Sequence, residues 1–141
     1  MQLKSIINHT VNIAYSCDEN YIQHTGISII SLLENNKDIE KITIYFIEKD
    51  VKESSIKLLN DIVNSYNRDF IVIPFNKLCS ALDISSIGRH IETVYAKLFF
   101  GNITDVEKIL YLDSDTIVNG SIKHIWQINL KHNYFGCVKT T

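Results

Sequence analysis

The chain has 141 residues, of which 45% are hydrophobic and 21% are charged, enough for one globular domain with its own hydrophobic core. Its formal net charge of −2 excludes the broad basic surface that a nucleic-acid partner requires. The three cysteines form no CxxC pair, which favours neither a zinc site nor a disulfide framework and indicates a reduced, cytoplasmic protein.

The N-terminal part of the chain predicts a strand followed by a helix. Residues 11–16 form a short apolar run typical of a buried strand, and Asp18 is expected to cap a helix over residues 21–35. Gly26 in that helix costs about 1 kcal/mol relative to alanine, which indicates close packing of the helix on the sheet. The inner face of the helix is expected to carry Ile22, Ile29, Leu32 and Leu33.

The middle of the chain repeats the pattern. Residues 42–47 predict a second strand, residues 51–66 a second helix, and residues 69–74 a third strand that ends at the single proline. The apolar stripe of the second helix is expected to comprise Ile56, Leu59 and Val63, with Leu58 and Ile62 beside them.

Four further elements are predicted in the remainder: a helix at 91–100, a strand at 108–112, a short helix at 121–128 and a last strand at 134–138. Alternation of helices with almost continuously apolar strands is typical of an α/β fold, an open and mostly parallel sheet with helices on both faces. Ligands bind such sheets beyond the carboxyl ends of the strands, so function is expected there.

Two carboxylates follow the fourth predicted strand, in the segment KILYLDSDTIVNG at residues 108–120. On a strand, Asp113 and Asp115 would point to the same face, roughly 6–7 Å apart between Cα atoms. Carboxylates this close repel each other unless a cation lies between them, and Mg²⁺ or Mn²⁺ prefers such oxygen ligands. The alternative interpretation is a polar turn, because Asp and Ser both favour turns.

Two other families with D-x-D motifs fit this segment less well. An EF-hand loop needs glycine at the sixth position from Asp113, where this chain has Val118. A haloacid-dehalogenase-type phosphatase has threonine four residues after its first Asp, where this chain has Ile117. The phosphatase remains the less favoured alternative.

A second polar cluster, SCDENY at residues 16–21, ends the first predicted strand. Asp18 and Asn20 have the groups to hydrogen-bond a base or a ribose, and Tyr21 offers a flat apolar ring. The same residues also suit a helix start, and the two interpretations are compatible.

Four blocks of sequence, in this order, resemble family 8 glycosyltransferases: residues 12–21 (NIAYSCDENY), 26–36 (GISIISLLENN), 94–100 (VYAKLFF) and 108–122 (KILYLDSDTIVNGSI). Members of that family are retaining enzymes that use a nucleotide-sugar on a GT-A fold. The resemblance extends over residues 11–138 and is greatest to the lipopolysaccharide galactosyl- and glucosyltransferase branch.

The resemblance implies roles for particular residues. Asp113 and Asp115 would be the D-x-D pair that holds Mn²⁺, or Mg²⁺, against the diphosphate, and the backbone of Ser114 would contact the ribose. Lys97 stands where the family usually has an arginine that contacts the donor, and His90 lies near a position that faces the acceptor in some relatives. The uridine-binding loop would comprise Ser16, Asp18, Asn20 and Tyr21.

The resemblance implies a hexosyltransferase that moves a sugar from UDP-glucose or UDP-galactose to a glycan or lipopolysaccharide acceptor with retention. Family members are longer, and their later part brings an N-A-G-like segment and a histidine, in an H-x-x-G-x-x-K-P-W-like stretch, that is a third metal ligand. We therefore expect residues 1–141 to be the N-terminal part of the catalytic domain, truncated, weak in UDP binding and poor in transfer. A catalytically inactive nucleotide-binding or assembly module is the alternative.

Membrane and partner expectations follow from the same features. No apolar run approaches the ~20 residues that span a bilayer. We expect a cytoplasmic protein that, at full length, lies at the inner face of the membrane. We also expect self-association through apolar surface that a missing half would cover.

Overall fold

The computed structural model describes residues 10–77, 106–133 and 135–137. The helix predicted at 91–100 and the residues Lys97 and His90 lie outside these ranges. In chain order the described elements are β1 (Thr10–Asp18), a 3₁₀ helix (Glu19–Tyr21), α1 (Ile22–Glu34), β2 (Lys41–Lys49), α2 (Glu53–Ser65), β3 (Asp69–Pro74), β4 (Leu110–Tyr111) and α3 (Lys123–Gln127).

The four described strands form one parallel sheet in the order β3-β2-β1-β4. β1 pairs with β2 along its whole length, whereas β4 pairs with β1 only at Leu110 and Tyr111. Because the strands are parallel, their carboxyl ends lie at one edge of the sheet. Asp18, which ends β1, and the segment after Tyr111 therefore meet at that edge.

The main hydrophobic core lies between one face of the sheet and helices α1 and α2. The predicted inner face of α1 is confirmed, since its four apolar residues are at most 6% exposed. In α2, Leu59 and Val63 are fully buried as predicted, whereas Leu58 is 56% exposed. The opposite face of the sheet buries a smaller cluster of Ala14, Ile47, Ile73 and Phe75.

The described helices all pack on the first of these two faces. A helical layer on the second face is predicted from the sequence, and no described helix tests it. Burial of β1 and β2 on both faces explains why these strands read as continuous apolar runs rather than alternating ones.

Three strand predictions are confirmed to within two residues at each end, and two need correction. β1, β2 and β3 lie where the apolar runs placed them. The fourth strand is two residues long rather than the predicted 108–112. The last strand is wrong for its described part, because residues 135–137 join no ladder and the Phe135 side chain is 76% exposed.

The predicted cap of the first helix is also corrected. The Asp18 carboxylate accepts a hydrogen bond from the backbone N–H of Asn20 at 2.9 Å, and so it caps the 3₁₀ helix. α1 begins one turn later, with Tyr21 as its N-cap and without a side-chain cap. A short 3₁₀ turn inserted before α1 is a common way to start a helix, and it moves the cap away from the α-helix proper.

Gly26 packs against α2 rather than against the sheet. A Cβ built on Gly26 would lie 3.5 Å from Leu59 Cδ2 and 3.9 Å from Ile62 Cδ1. These are ordinary van der Waals distances, so the glycine is not needed for close approach.

Replacing Gly26 with Ala is therefore expected to stabilise the chain by about 0.5–1 kcal/mol, because alanine is the better helix former. Urea unfolding of the wild type and the variant measures this difference. Gly26→Leu, whose longer side chain would overlap Leu59, should destabilise instead. A destabilised Gly26→Ala variant would contradict the packing described for α1 and α2.

The side chain of Glu19 joins the 3₁₀ helix to the start of α2. One carboxylate oxygen accepts from the backbone N–H of Lys52 at 2.9 Å, and the other accepts from Ser55 Oγ at 3.0 Å. The backbone hydrogen bond from Lys52 is the main reason that the pKa of Glu19 lies below its usual value.

A lowered pKa makes the stability contribution of Glu19 dependent on pH. The contribution is complete above the ordinary glutamate value of 4.5 and is lost as the pH falls through the lower pKa of the folded state. Glu19→Gln should therefore have a lower melting temperature than the wild type at pH 7, and the gap should close as the pH falls through the lowered pKa of Glu19. Glu53→Gln, in the first turn of α2, is the matched control and should show a smaller gap at pH 7.

Candidate functional site

The segment Asp113–Thr116 forms a β-turn just beyond β4. The backbone N–H of Thr116 donates to the carbonyl of Asp113 at 3.1 Å, and the Thr116 hydroxyl donates to the same carbonyl at 2.7 Å. Asp113 and Asp115 therefore occupy the first and third positions of a turn, and the prediction that they share a strand face is wrong. β4 has already ended at Tyr111, because only Leu110 and Tyr111 pair with β1.

The turn presents its two carboxylates to solvent at the carboxyl edge of the sheet. Asp113 and Asp115 are both exposed, whereas Ser114 between them is 8% exposed. The turn and the metal site, which the sequence offered as alternatives, are thus compatible. Two exposed carboxylates on one turn can bind a cation without the desolvation cost of a buried charge.

Ser114 fastens the turn to the end of β1. Its hydroxyl donates to the backbone carbonyl of Ser16 at 2.9 Å, in a buried bond that joins residues 98 apart in sequence. The hydroxyl of Ser16 itself is buried, and it has no hydrogen-bond partner among the described residues. An unpaired buried hydroxyl is costly, so Ser16 Oγ is a candidate for contact with a bound ligand.

The loop after β1 holds three further predicted site residues. The Asp18 carboxylate is partly used by the backbone of Asn20, and the amide of Asn20 lies 3.5 Å from the second Asp18 oxygen. The Tyr21 ring is 48% exposed and packs at a tilt against His24, with the ring centroids 5.5 Å apart. The loop is thus preorganised by its own contacts and still offers an aromatic face.

Two titratable groups under the turn stay protonated at neutral pH. Burial raises the pKa of the Cys17 thiol to about 11, although a hydrogen bond from Thr25 partly opposes the shift. Burial also raises the pKa of Tyr111 to about 12, and the nearby Asp113 carboxylate adds to the effect. Cys17 therefore remains a thiol rather than the thiolate that acts as a nucleophile.

A row of polar side chains on α1 and at the two positions after its end supports the segment that follows the turn, and the sequence prediction missed it. We refer to these residues as the polar strip of α1. Ser31 Oγ accepts from the backbone N–H of Val118 at 2.9 Å, and Asn35 donates to the carbonyl of Val118 at 3.0 Å. The polar strip comprises Ser28, Ser31, Asn35 and Asn36.

Asn36 makes the most buried contacts of the polar strip. Its amide donates to the carbonyls of Leu32 and Gly120 at 2.9 and 3.2 Å, and its oxygen accepts from the backbone N–H of Ile122 at 2.9 Å. No local signal in the sequence marks this role, because Asn36 contacts a segment 84–86 residues further along the chain.

The donor atoms at the site suit a hard divalent cation but do not complete its coordination. The described residues contain no group of three or more His, Cys, Asp or Glu side chains placed to hold a metal ion. Asp113 and Asp115 supply carboxylate oxygens, which Mg²⁺ and Mn²⁺ prefer. Further ligands would have to come from a bound molecule or from water.

A concavity of about 950 Å³ lies at the opposite end of the sheet, near Thr10 and Lys41. Two of its cationic groups are already engaged. Lys41 pairs with Asp69 at 3.7 Å, and Arg68 donates to the carbonyls of Glu40 and Ile39. Ligands of parallel sheets bind at the other end, so this concavity is not the candidate site.

The model of the family described as "Glycosyl transferase family 8" matches residues 12–141. The chain belongs to glycosyl transferase family 8. Among relatives of this family 8 chain, a putative glycosyltransferase of Haemophilus influenzae is 24% identical over 139 residues, or 95% of this chain and 40% of the relative. The lipopolysaccharide 1,2-glucosyltransferase of Escherichia coli is 30% identical over 127 residues, or 89% of this chain and 37% of the relative.

The family 8 chain also superposes on a solved structure. The galactosyltransferase LgtC, in complex with donor and acceptor sugar analogs, gives a TM-score of 0.66 at 25% identity, over 85% of this chain and 43% of that chain. The parallel sheet and this likeness confirm the predicted GT-A fold. The chain spans about two fifths of the length of these two curated relatives. None of the helices in the described ranges has the length and hydrophobicity needed to cross a bilayer.

Proposed function

We propose that this chain binds a UDP-sugar, UDP-glucose or UDP-galactose, and is part of a hexosyltransferase that acts with retention on a saccharide acceptor. One observation carries the proposal: the Ser114–Ser16 hydrogen bond holds the exposed Asp113–Thr116 turn against the end of β1. Because of that bond, the two carboxylates lie at the same sheet edge as the polar loop at residues 18–21.

The known relatives support the same proposal. The Escherichia coli relative is a lipopolysaccharide glucosyltransferase, and the LgtC complex contains donor and acceptor sugar analogs. A glycan or lipopolysaccharide acceptor for the whole protein, and a location at the inner face of the membrane, form part of the proposal.

The residues of the site take distinct parts in donor binding. Asp113 and Asp115 would hold a divalent cation, Mn²⁺ or Mg²⁺, which when bound screens the charge that grows on the departing diphosphate. The buried hydroxyl of Ser16 and the polar groups of Asp18 and Asn20 would orient the nucleoside.

Further contacts complete the proposal. The exposed ring of Tyr21 would stack on the uracil, and the backbone of Ser114 would contact the ribose. We also propose Lys97 as a cationic contact to the donor phosphates and His90 as a contact to the acceptor. Lysine keeps the charge of an arginine at this position but lacks its planar fork, so its phosphate contact would be less directional.

Transfer separates this proposal from a nucleotide-binding module without activity. The module without activity stays a candidate because few metal ligands are present. The described residues offer two carboxylates and no third metal-ligating side chain nearby. Both candidates bind UDP, and only the first releases UDP from a UDP-sugar in the presence of an acceptor.

Calorimetry of UDP binding to the purified chain, with and without Mn²⁺, examines the shared site. We expect tighter binding with Mn²⁺ than without it, and weaker binding of GDP as the control nucleotide. UDP release from UDP-glucose and UDP-galactose, with lipopolysaccharide as acceptor, then measures turnover. Equal UDP binding with and without Mn²⁺ would refute the metal-dependent site.

Self-association is a separate part of the proposal. α1 exposes Ile27 and Ile30 at 56% and 40% of their surfaces, and Phe135 is 76% exposed. Exposed apolar side chains of this size favour association. Sedimentation velocity over a range of concentrations measures it, and a monomer at every concentration would refute it.

A further inference from the structure

Three hydroxyl groups connect the buried interior of the sheet to the carboxylate turn. Tyr15 Oη lies 3.0 Å from Ser28 Oγ, and Ser28 Oγ lies 3.3 Å from Thr116 Oγ1. Thr116 Oγ1 in turn lies 2.7 Å from the backbone carbonyl of Asp113. Tyr15 and Ser28 are both fully buried, so the chain of hydroxyls begins in the core and ends at the first residue of the turn.

The direction of each hydrogen bond in this series of three hydroxyl groups is fixed. A carbonyl oxygen can only accept, so the Thr116 hydroxyl donates to Asp113 and must accept from Ser28. Ser28 has then used its single proton, so it must accept from Tyr15. Burial raises the pKa of Tyr15 to about 12, which keeps its phenol a donor at neutral pH.

The segment that receives these contacts has no regular structure of its own between β4 and α3. The segment bonds instead to the polar strip of α1, in chain order. The hydroxyl of Ser28 contacts the hydroxyl of Thr116, and Ser31 and Asn35 bond to the backbone of Val118. Asn36 bonds to the backbone of Gly120 and Ile122. α1, which packs on the core, therefore supports the turn in addition to the Ser114–Ser16 bond at the end of β1.

We propose that Tyr15, Ser28 and Thr116 are positioning residues that hold the Asp113–Thr116 turn in the geometry that binds a metal–diphosphate complex. The inference rests on the proposed function. Asp113 and Asp115 repel each other when no cation is present. Fixing the turn from α1 supplies in advance the ordering that metal binding would otherwise have to supply.

Thr116→Val tests the inference, because valine keeps the shape of threonine and removes the hydroxyl. The quantity to measure is the ratio of the UDP dissociation constants without and with Mn²⁺. We expect Thr116→Val to lower this ratio about tenfold, as loss of an outer-shell partner does at metal sites. Thr116→Ser, which keeps the hydroxyl, should retain the wild-type ratio.

Val63→Ala is the control for a general loss of stability. Val63 is fully buried on α2, in the core and not in the turn or its supports. Val63→Ala should lower the melting temperature and leave the ratio unchanged. The inference would be overturned if the ratio in Thr116→Val equalled that of the wild type. It would also be overturned if Val63→Ala lowered the ratio as much as Thr116→Val does.

A second readout needs no nucleotide. In Ser28→Ala, the backbone amide of Thr116 should exchange with solvent about tenfold faster than in the wild type, because the turn has lost its connection to α1. An unchanged exchange rate of the Thr116 amide would overturn the inference, whatever the nucleotide-binding measurements give. Exchange could be faster in Ser28→Ala while UDP binding to the wild type does not depend on Mn²⁺. That combination would support the positioning of the turn and refute only the proposed function.

Discussion

Replacing Asp115 with Asn is expected to weaken UDP binding in the presence of Mn²⁺ by about 100-fold and to leave metal-free binding unchanged. Asparagine keeps the size of the side chain and one oxygen but removes the charge that attracts the cation. Asp115 is exposed, so the fold should tolerate the change. Calorimetry with and without Mn²⁺ separates the two parts of the affinity.

Asp61→Asn is the matched control for the same chemical change. Asp61 is an exposed residue of α2 that pairs with Lys57 at 3.1 Å, and it belongs to neither the turn nor the loop after β1. Its loss should leave UDP affinity unchanged at every Mn²⁺ concentration. Full Mn²⁺ dependence in Asp115→Asn would show that Asp115 is not a ligand. Asp113→Asn would then reveal whether the other carboxylate binds the cation alone.

The centre of the sheet could be predicted from the sequence because burial leaves an unmistakable pattern there. β1 and β2 are covered on both faces, so their apolar residues run on at successive positions instead of alternating with polar ones. β3 lies at an edge of the described sheet, but Asp69 and Pro74 mark its two ends clearly. Local sequence was sufficient for these elements.

The end of β4 could not be predicted in this way, because apolar side chains continue after the strand has stopped. Leu112 packs against the core although it lies outside β4. The strand ends where pairing with β1 ends, which is a property of two segments about 97 residues apart. The positions of Asp113 and Asp115 on a turn followed from that ending and not from their spacing.

The supports of the turn were missed for the same physical reason. In the sequence, Ser28 and Asn36 are ordinary polar residues of a helix and its end. Only their contacts with the segment 116–122 in the folded structure show their role. The hydrogen bonds concerned join residues 84–88 positions apart in sequence. Sequence patterns predicted which residues bear the carboxylates, whereas long-range contacts determined how those residues are held.

Asn36→Leu is expected to destabilise the chain by about 3 kcal/mol, or roughly 10 °C in Tm. Asn36 is fully buried, and its side chain satisfies two carbonyls and one backbone N–H. Leucine fills a similar volume but leaves these groups without partners in the interior. Urea unfolding followed by circular dichroism gives the free energy, and thermal melting gives the shift in Tm.

Asn35→Ala is the matched control, because Asn35 is the neighbouring residue and also donates to two carbonyls, at 2.9 and 3.0 Å. Asn35 is exposed, so water can replace its bonds, and the variant should lose only about 0.5 kcal/mol. A large difference between the two variants assigns the stabilisation to burial of the polar contact rather than to the number of hydrogen bonds. Equal losses would mean that Asn36 and the segment after the turn are open to solvent in solution.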